Sequence, residues 1–198
     1  MSRLGRLGAP LLGALLLLYP AAVFYGLQHG SARLVGLLLA ALVLLRWWLL
    51  RGRAATGGLL PVLVAGLACA LVAVLANSGI ALRLLPVLVS LIMLATFGYT
   101  LWQPPSMIER FARAFGNELP PSGVAYTRRV TQVWCLFFIA NATVALYTAL
   151  FASIASWTLY NGLISYLLMG LLFGGEWLLR QYLRKSGVLQ RTGKGSAP

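Results

Sequence analysis

Five stretches of the chain, residues 7–32, 34–45, 54–82, 84–108 and 130–175, contain no charged side chain. A helix that crosses the roughly 30 Å hydrocarbon layer of a bilayer needs about 20 predominantly apolar residues. The last stretch is 46 residues long, too long for one crossing and too short for three, so it must fold back on itself. Trp157-Thr158-Leu159-Tyr160-Asn161-Gly162 is the expected turn, because Asn-Gly favours turns and Trp and Tyr favour the membrane–water boundary. Six helices follow, over about 9–28, 32–50, 59–77, 80–102, 130–156 and 160–183, with a loop over 103–129. Only 10% of residues are charged and 60% are hydrophobic, against about 25% charged in ordinary soluble domains. A soluble globular domain and a disordered chain are both excluded.

The chain carries 16 Lys and Arg against 3 acidic residues, all Glu, for a net charge of +13. In a soluble protein such a balance points to nucleic acid; here the placement of the charges decides, and no nucleic-acid partner is expected. Arg3 and Arg6, then Arg46, Arg51 and Arg53, then Arg110, Arg113, Arg128 and Arg129, and finally Arg180, Arg184, Lys185, Arg191 and Lys194 fall on one side of the six-helix arrangement. Only Arg33 and Arg83 fall on the other. The positive-inside rule then places both termini in the cytoplasm. The expected fold class is therefore all-α: a polytopic membrane protein, one integral domain over residues 1–198, built as a six-transmembrane-helix bundle with one short interfacial amphipathic helix. Arg3, Arg6 and Leu11 to Leu18 resemble a signal peptide, but the apolar run continues through Tyr19-Pro20-Ala21-Ala22-Val23 without a small-x-small cleavage site, so a retained helix is expected.

Few residues are suited to chemistry. Cys69 and Cys135 fall in apolar spans without CxxC spacing or a neighbouring His; they read as packing residues, and no metal or other cofactor is expected. The single histidine, His29, sits in a short outer loop and reads as a solvated residue, a proton relay being the sharper alternative. In the loop, Ser106-Met107-Ile108-Glu109 has the S-x-x-E pattern of a capping box. Met107, Ile108, Phe111 and Phe115 follow at helical spacing, opposite Glu109, Arg110 and Arg113, before Gly116-Asn117 and Leu119-Pro120-Pro121. This predicts an interfacial helix over 106–116, apolar face down and arginines towards lipid phosphates, serving as a lid or as a docking surface for a cytosolic partner. Arg128-Arg129 at the start of the fifth helix suit topogenic anchoring, an anionic headgroup or a phosphorylated carrier.

Polar groups inside spans are costly and therefore informative. Glu176 is the one acidic residue in a predicted span and lies four residues before Arg180, which allows an ion pair along one helical face. Asn141, near the middle of the fifth helix, needs an interhelical hydrogen-bond partner. With Tyr160 and Asn161, these residues form a candidate polar cavity: Asn141, Tyr160, Asn161, Glu176 and Arg180. Gly162, Gly170, Gly174 and Gly175 line the last helix as a small-residue stripe suited to helix contact, and Pro20, Pro61 and Pro86 mark tolerated kinks.

The strings Pro105-Ser106-Met107-Ile108-Glu109-Arg110-Phe111-Ala112-Arg113, Leu119-Pro120-Pro121, Tyr126-Thr127-Arg128-Arg129-Val130-Thr131-Gln132-Val133-Trp134, Phe137-Phe138-Ile139-Ala140-Asn141 and Trp157-Thr158-Leu159-Tyr160-Asn161-Gly162 are distinctive. With Tyr166 to Gly170, Glu176 and Arg180, they resemble a family of small bacterial inner-membrane proteins. Genes of that family lie in clusters making aryl polyenes and xanthomonadin-like pigments, beside acyl carrier proteins, ketosynthases and acyltransferases. The likeness covers residues 105–180; Leu85-Pro86 stands where the family pattern has Tyr-Pro. It implies a multi-pass protein of the bacterial inner membrane, in contact with membrane lipid. Its role would be that of an accessory or scaffold for aryl-polyene or fatty-acyl assembly, with acyl carrier protein, ketosynthase or acyltransferase as cytosolic partners. A small transporter or flippase component is the alternative, and an acyl-handling enzyme a third. Some relatives carry a ketosynthase label through cluster context. That chemistry needs a nucleophilic Cys with two basic partners, whereas both cysteines here lie in apolar helices beside one distant His.

Overall fold

A computed structural model of the chain describes residues 18–50, 56–114 and 119–185. Among these residues there is no strand. The order is α1 (Tyr19–His29), α2 (Ala32–Leu50), α3 (Thr56–Ala76), α4 (Gly79–Arg83), α5 (Leu85–Trp102), α6 (Met107–Ala114), α7 (Pro121–Phe151), α8 (Ile154–Leu159), a π-helical stretch (Tyr160–Ile164) and α9 (Ser165–Lys185). The all-helical expectation holds. Among the described residues, three helical runs are long and apolar enough to cross a membrane: Gly79–Trp102, Pro121–Phe151 and Ile154–Leu183. Pro61–Ala76 is a shorter apolar helix. That is three such helices, not the six expected. The start of the expected first span, Arg51 and Arg53, the Phe115 and Gly116-Asn117 end of the loop helix and the tail past residue 185 lie outside the described residues.

Helix boundaries follow local chemistry. Pro86 is the second residue of α5, where a missing N–H costs least, and it coincides with the break at Leu84 that separates α4 from α5. Asn77 follows α3 with φ of 47°, a left-handed conformation that Asn tolerates. Its side-chain oxygen accepts from the Arg33 backbone N–H at 3.3 Å, so one residue ends α3 and satisfies an open donor at the start of α2. Pro121 opens α7 nine residues ahead of the expected start at 130, which places Arg128 and Arg129 in a helix rather than in the loop.

The turn expected at Trp157–Gly162 does not form; those residues are helical. The chain breaks earlier, at Ala152-Ser153, where extended Ser153 accepts from the Ser156 backbone N–H at 3.1 Å and caps α8. Trp157, read as a boundary residue, is fully buried, and its indole N–H donates to the Arg83 carbonyl at 3.0 Å. Asn161 turns inward, donating from Nδ2 to the Trp157 carbonyl at 2.9 Å and to Thr148 Oγ1 at 3.3 Å. A side chain that takes a carbonyl of the preceding turn disturbs the regular ladder, and the π-helical stretch begins beside it.

The described chain forms two compact units, one comprising residues up to 92 with 141–166, the other 93–140 with the residues from 167. The first has a core of Val23, Val35, Leu39, Val43, Leu63, Cys69, Leu82 and Trp157 among others. In it α2 and α3 lie close together: a Cβ on Gly36 would stand 2.9 Å from the Ala70 carbonyl oxygen and 3.1 Å from the Ala73 Cβ. The second has an aromatic core of Phe97, Trp134 and Phe138 around Val130 and Cys135, with Phe97 and Phe138 edge to face at 5.2 Å.

The glycine stripe of the last helix divides in two. Gly162 packs towards Pro20, whereas a Cβ on Gly170, Gly174 or Gly175 meets nothing within 4 Å. These two behaviours give a paired prediction. Gly36→Leu forces α2 from α3 and destabilises by about 1–3 kcal/mol, while Gly170→Ala stays within about 0.5 kcal/mol. Thermal unfolding of the detergent-solubilised protein measures both, and equal shifts would show that the α2–α3 contact does not form in solution.

Candidate functional site

Within the first unit, α7 presents Asn141, Ala145, Thr148 and Ala149 on one buried face, at the 3.6-residue spacing of a helix. Opposite it, Trp157, Asn161 and Ser165 are buried at intervals of four. The small alanines let the two helical segments approach, and the break at Ala152-Ser153 joins them as a hairpin. Asn141 is the centre of the polar groups between them. Its Nδ2 donates to Ser90 Oγ at 2.9 Å, and its Oδ1 accepts from Ser165 Oγ at 2.9 Å and Tyr160 OH at 3.2 Å. Ser90 Oγ in turn donates to the Pro86 carbonyl at 2.9 Å.

At the end of α7 stands Arg83. Its guanidinium donates to the carbonyls of Thr148 at 2.7 Å and Ala152 at 2.6 Å. Helix-terminal carbonyls lack intrahelical donors and carry partial negative charge, so a cation there is favourable. Tyr19 OH donates to the Leu82 carbonyl, and its ring meets Trp157 edge to face at 6.5 Å.

Of the expected cavity residues, Asn141 and Tyr160 are directly bonded, and Asn161 reaches the same face of α7 through Thr148. They form a packed hydrogen-bonded cluster. Glu176 and Arg180 belong to the other unit. The expected Glu176–Arg180 ion pair is not made. Glu176 instead accepts at 3.4 Å from the hydroxyl of Tyr126, and the ion pair found among the described residues joins Glu109 to Arg113 at 2.8 Å.

The loop helix also differs from expectation. Ser106 Oγ has no partner, so the capping box does not close. Thr100 Oγ1 accepts from the Met107 N–H at 2.9 Å and Thr131 Oγ1 from the Ile108 N–H at 3.3 Å, so two threonines from neighbouring helices cap α6. Met107 and Ile108 pack on the aromatic core, and Glu109 is buried with Ala112, whereas Phe111 is exposed, as are Arg110 and Arg113. Glu109 is therefore buried at the edge of the expected polar face, held by its pairing with Arg113. Arg110 donates to the Pro105 and Gln103 carbonyls. Arg128 and Arg129 are exposed.

An open groove of about 360 Å³ runs between α1 and α2, lined by Tyr19, Tyr25, His29, Leu34, Leu38 and Leu42 among others. His29, the last residue of α1, stacks on Tyr25 at 4.4 Å. Among the described residues no group of three or more His, Cys, Asp or Glu is placed to hold a metal ion. In the Asn141 cluster the Tyr160 and Ser165 hydroxyls donate to a neutral amide oxygen, which cannot act as a general base, and those of Ser90 and Thr148 donate to backbone carbonyls.

Arg83, Ser90, Thr148, Trp157 and Ser165 are the cluster members that sequence reasoning missed. The signal was available in the regular spacing of Asn141 with Thr148 and of Trp157, Asn161 and Ser165 inside one uncharged run. Because Asn141 serves three partners, Asn141→Leu strands the Tyr160 and Ser165 hydroxyls, removes the bond Ser90 accepts while leaving its bond to Pro86, and costs about 1–3 kcal/mol. Tyr160→Phe removes a single bond and costs about 0.6 kcal/mol. Unfolding in mixed micelles of detergent and sodium dodecyl sulfate ranks the two, and a reversed order would remove Asn141 from the centre of the cluster. No protein-family model, curated protein or solved structure matches the chain.

Proposed function

We propose that the chain is a multi-pass protein of the bacterial inner membrane with both termini in the cytoplasm. The fourteen-to-two distribution of cationic residues supports this orientation. Arg33 at the start of α2 meets Asn77, and Arg83 meets Ala152, so each of these pairs lies at one end of the first unit, whichever side that end faces. The outer connection after α7 is then Ala152-Ser153. With Cys69 and Cys135 replaced by Ala, a Cys placed at Ser153 is labelled by a membrane-impermeant maleimide from the periplasmic side, and one at Ser122 is not. The opposite labelling would invert the topology.

Its function, in this reading, is that of a non-catalytic accessory or scaffold protein for assembly of a lipid-linked polyene or fatty-acyl product. One contrast carries it. The Asn141 amide and the hydroxyls of Ser90, Tyr160 and Ser165 are engaged with one another, whereas Arg128 and Arg129 are exposed and have no ion-pair partner among the described residues. Paired guanidinium groups suit carboxylates and phosphates, which fits an acidic cytosolic partner such as an acyl carrier protein, with a ketosynthase or acyltransferase as the other partners suggested by the family resemblance. Arg110 and Arg113 are partly held by backbone carbonyls and Glu109.

The π-helical stretch that contains Asn161 favours a second reading, a transporter or flippase component, since such stretches recur at functional sites. Binding distinguishes the two. For protein in zwitterionic-lipid nanodiscs, Arg128→Glu with Arg129→Glu weakens binding of a purified acyl carrier protein about tenfold or more. Unchanged binding, or none by the unaltered protein, would favour the second reading.

A further inference from the structure

The contacts that hold down the start of α6 are neutral: Met107 and Ile108 lie on the aromatic core, and the Thr100 and Thr131 hydroxyls take their amides. The next residue, Glu109, is a carboxylate that docking buries to 5% exposure. Arg113 compensates it, donating from both Nε and Nη2 to Glu109 Oε1 at 2.9 and 2.8 Å. It does so from the surface, with 51% of its side chain exposed against 7% for Glu109. No second cation pairs with Glu109 among the described residues. A buried charge that loses its partner costs far more than an exposed pair contributes. The docking of α6 thus depends on one half-exposed guanidinium.

We propose that α6 is a lid on the Phe97, Trp134 and Phe138 core, released by phosphate-type anions that take Arg113 from Glu109. With α6 docked, the Arg113 charge is already neutralised and two nitrogens of its fork are engaged, and an arriving anion also meets the Glu109 carboxylate. With α6 lifted, Glu109 is hydrated and its pairing with Arg113 is an ordinary four-residue contact in water, which is weak. The whole fork is then open to a bidentate acceptor, for which phosphate oxygens are well shaped. A ligand shifts an equilibrium by its differential affinity for the two states, so such an anion favours the lifted one. Arg110 is kept by the Pro105 and Gln103 carbonyls and takes no part in the lock. Lifting uncovers the part of the aromatic core on which Met107 and Ile108 lie.

Ser106 reports lifting when changed to Cys, because it is 3% exposed and its Oγ makes no bond that the change would remove. The full chain, with Cys69 and Cys135 as Ala, is placed in zwitterionic-lipid nanodiscs and labelled with a membrane-impermeant maleimide. Arg113→Met leaves Glu109 buried alone and is expected to speed labelling about tenfold or more. Glu109→Met with Arg113→Met replaces the pair by apolar chains of similar size and is expected to restore the slow rate, which also shows that the fold is kept. Phosphatidylglycerol in place of half the lipid, or inorganic pyrophosphate added to the zwitterionic discs, is compared with sodium chloride at equal ionic strength. Labelling about fivefold faster in the first arm identifies a lipid headgroup as the source of the phosphate, and in the second a soluble one. The double variant responds to neither. Slow labelling of Arg113→Met, fast labelling of the double variant, a phosphate response that the double variant retains, or no response beyond that to chloride in both arms would overturn the proposal.

Discussion

The bonds from the Arg83 guanidinium to the carbonyls of Thr148 and Ala152 determine where the longest helix stops. A helix end leaves carbonyls without donors, and in a span surrounded by lipid they must be satisfied within the protein. With those oxygens taken by an arginine from another helix, the chain can leave α7 at Ala152 and restart at Ser153 under its own cap. The return of α8 along α7 then brings Tyr160 and Ser165 to Asn141, and Asn161 to Thr148. The Asn141 cluster is thus a consequence of how one helix terminus is closed.

That dependence separates the legible from the hidden in the sequence. The helix over 32–50 can be read from its flanking arginines, and the loop helix from its bracketing Pro-Pro pairs. The hairpin at Ala152-Ser153 could not be located from sequence, because Trp-Thr-Leu-Tyr-Asn-Gly has the composition of a boundary turn. Trp157 and Asn161 are instead inward-facing anchors whose partners lie on α4 and α7, and no local pattern announces a partner 74 residues away. Arg83 was misleading for the same reason. As a count in a charge tally it marks a side of the membrane; as a side chain it is a helix cap.

The candidate site shows the same division. The polar residues Asn141, Tyr160 and Asn161 were singled out because polarity in an apolar run needs a reason, and the structure supplies hydrogen bonds between helices. Glu176 was read with Arg180 because four-residue spacing allows contact. Spacing permits a pair without selecting it, and the Tyr126 hydroxyl on α7 takes the carboxylate instead. Glu109 was assigned to the polar face for its charge, yet it is among the most buried residues of α6. Its pairing with Arg113 makes that burial tolerable.

The threonine cap on α6 has a consequence for how substitutions here register. Thr100 and Thr131 differ from valine by the exchange of one hydroxyl for a methyl, so on a hydropathy profile a change to valine strengthens both spans. Each hydroxyl, however, holds one of the first amides of α6, at Met107 and Ile108. Variation that improves the two helices as lipid-crossing segments would thus release the start of the segment between them. The position of the basic loop is set by atoms that a tally of apolar residues counts as defects.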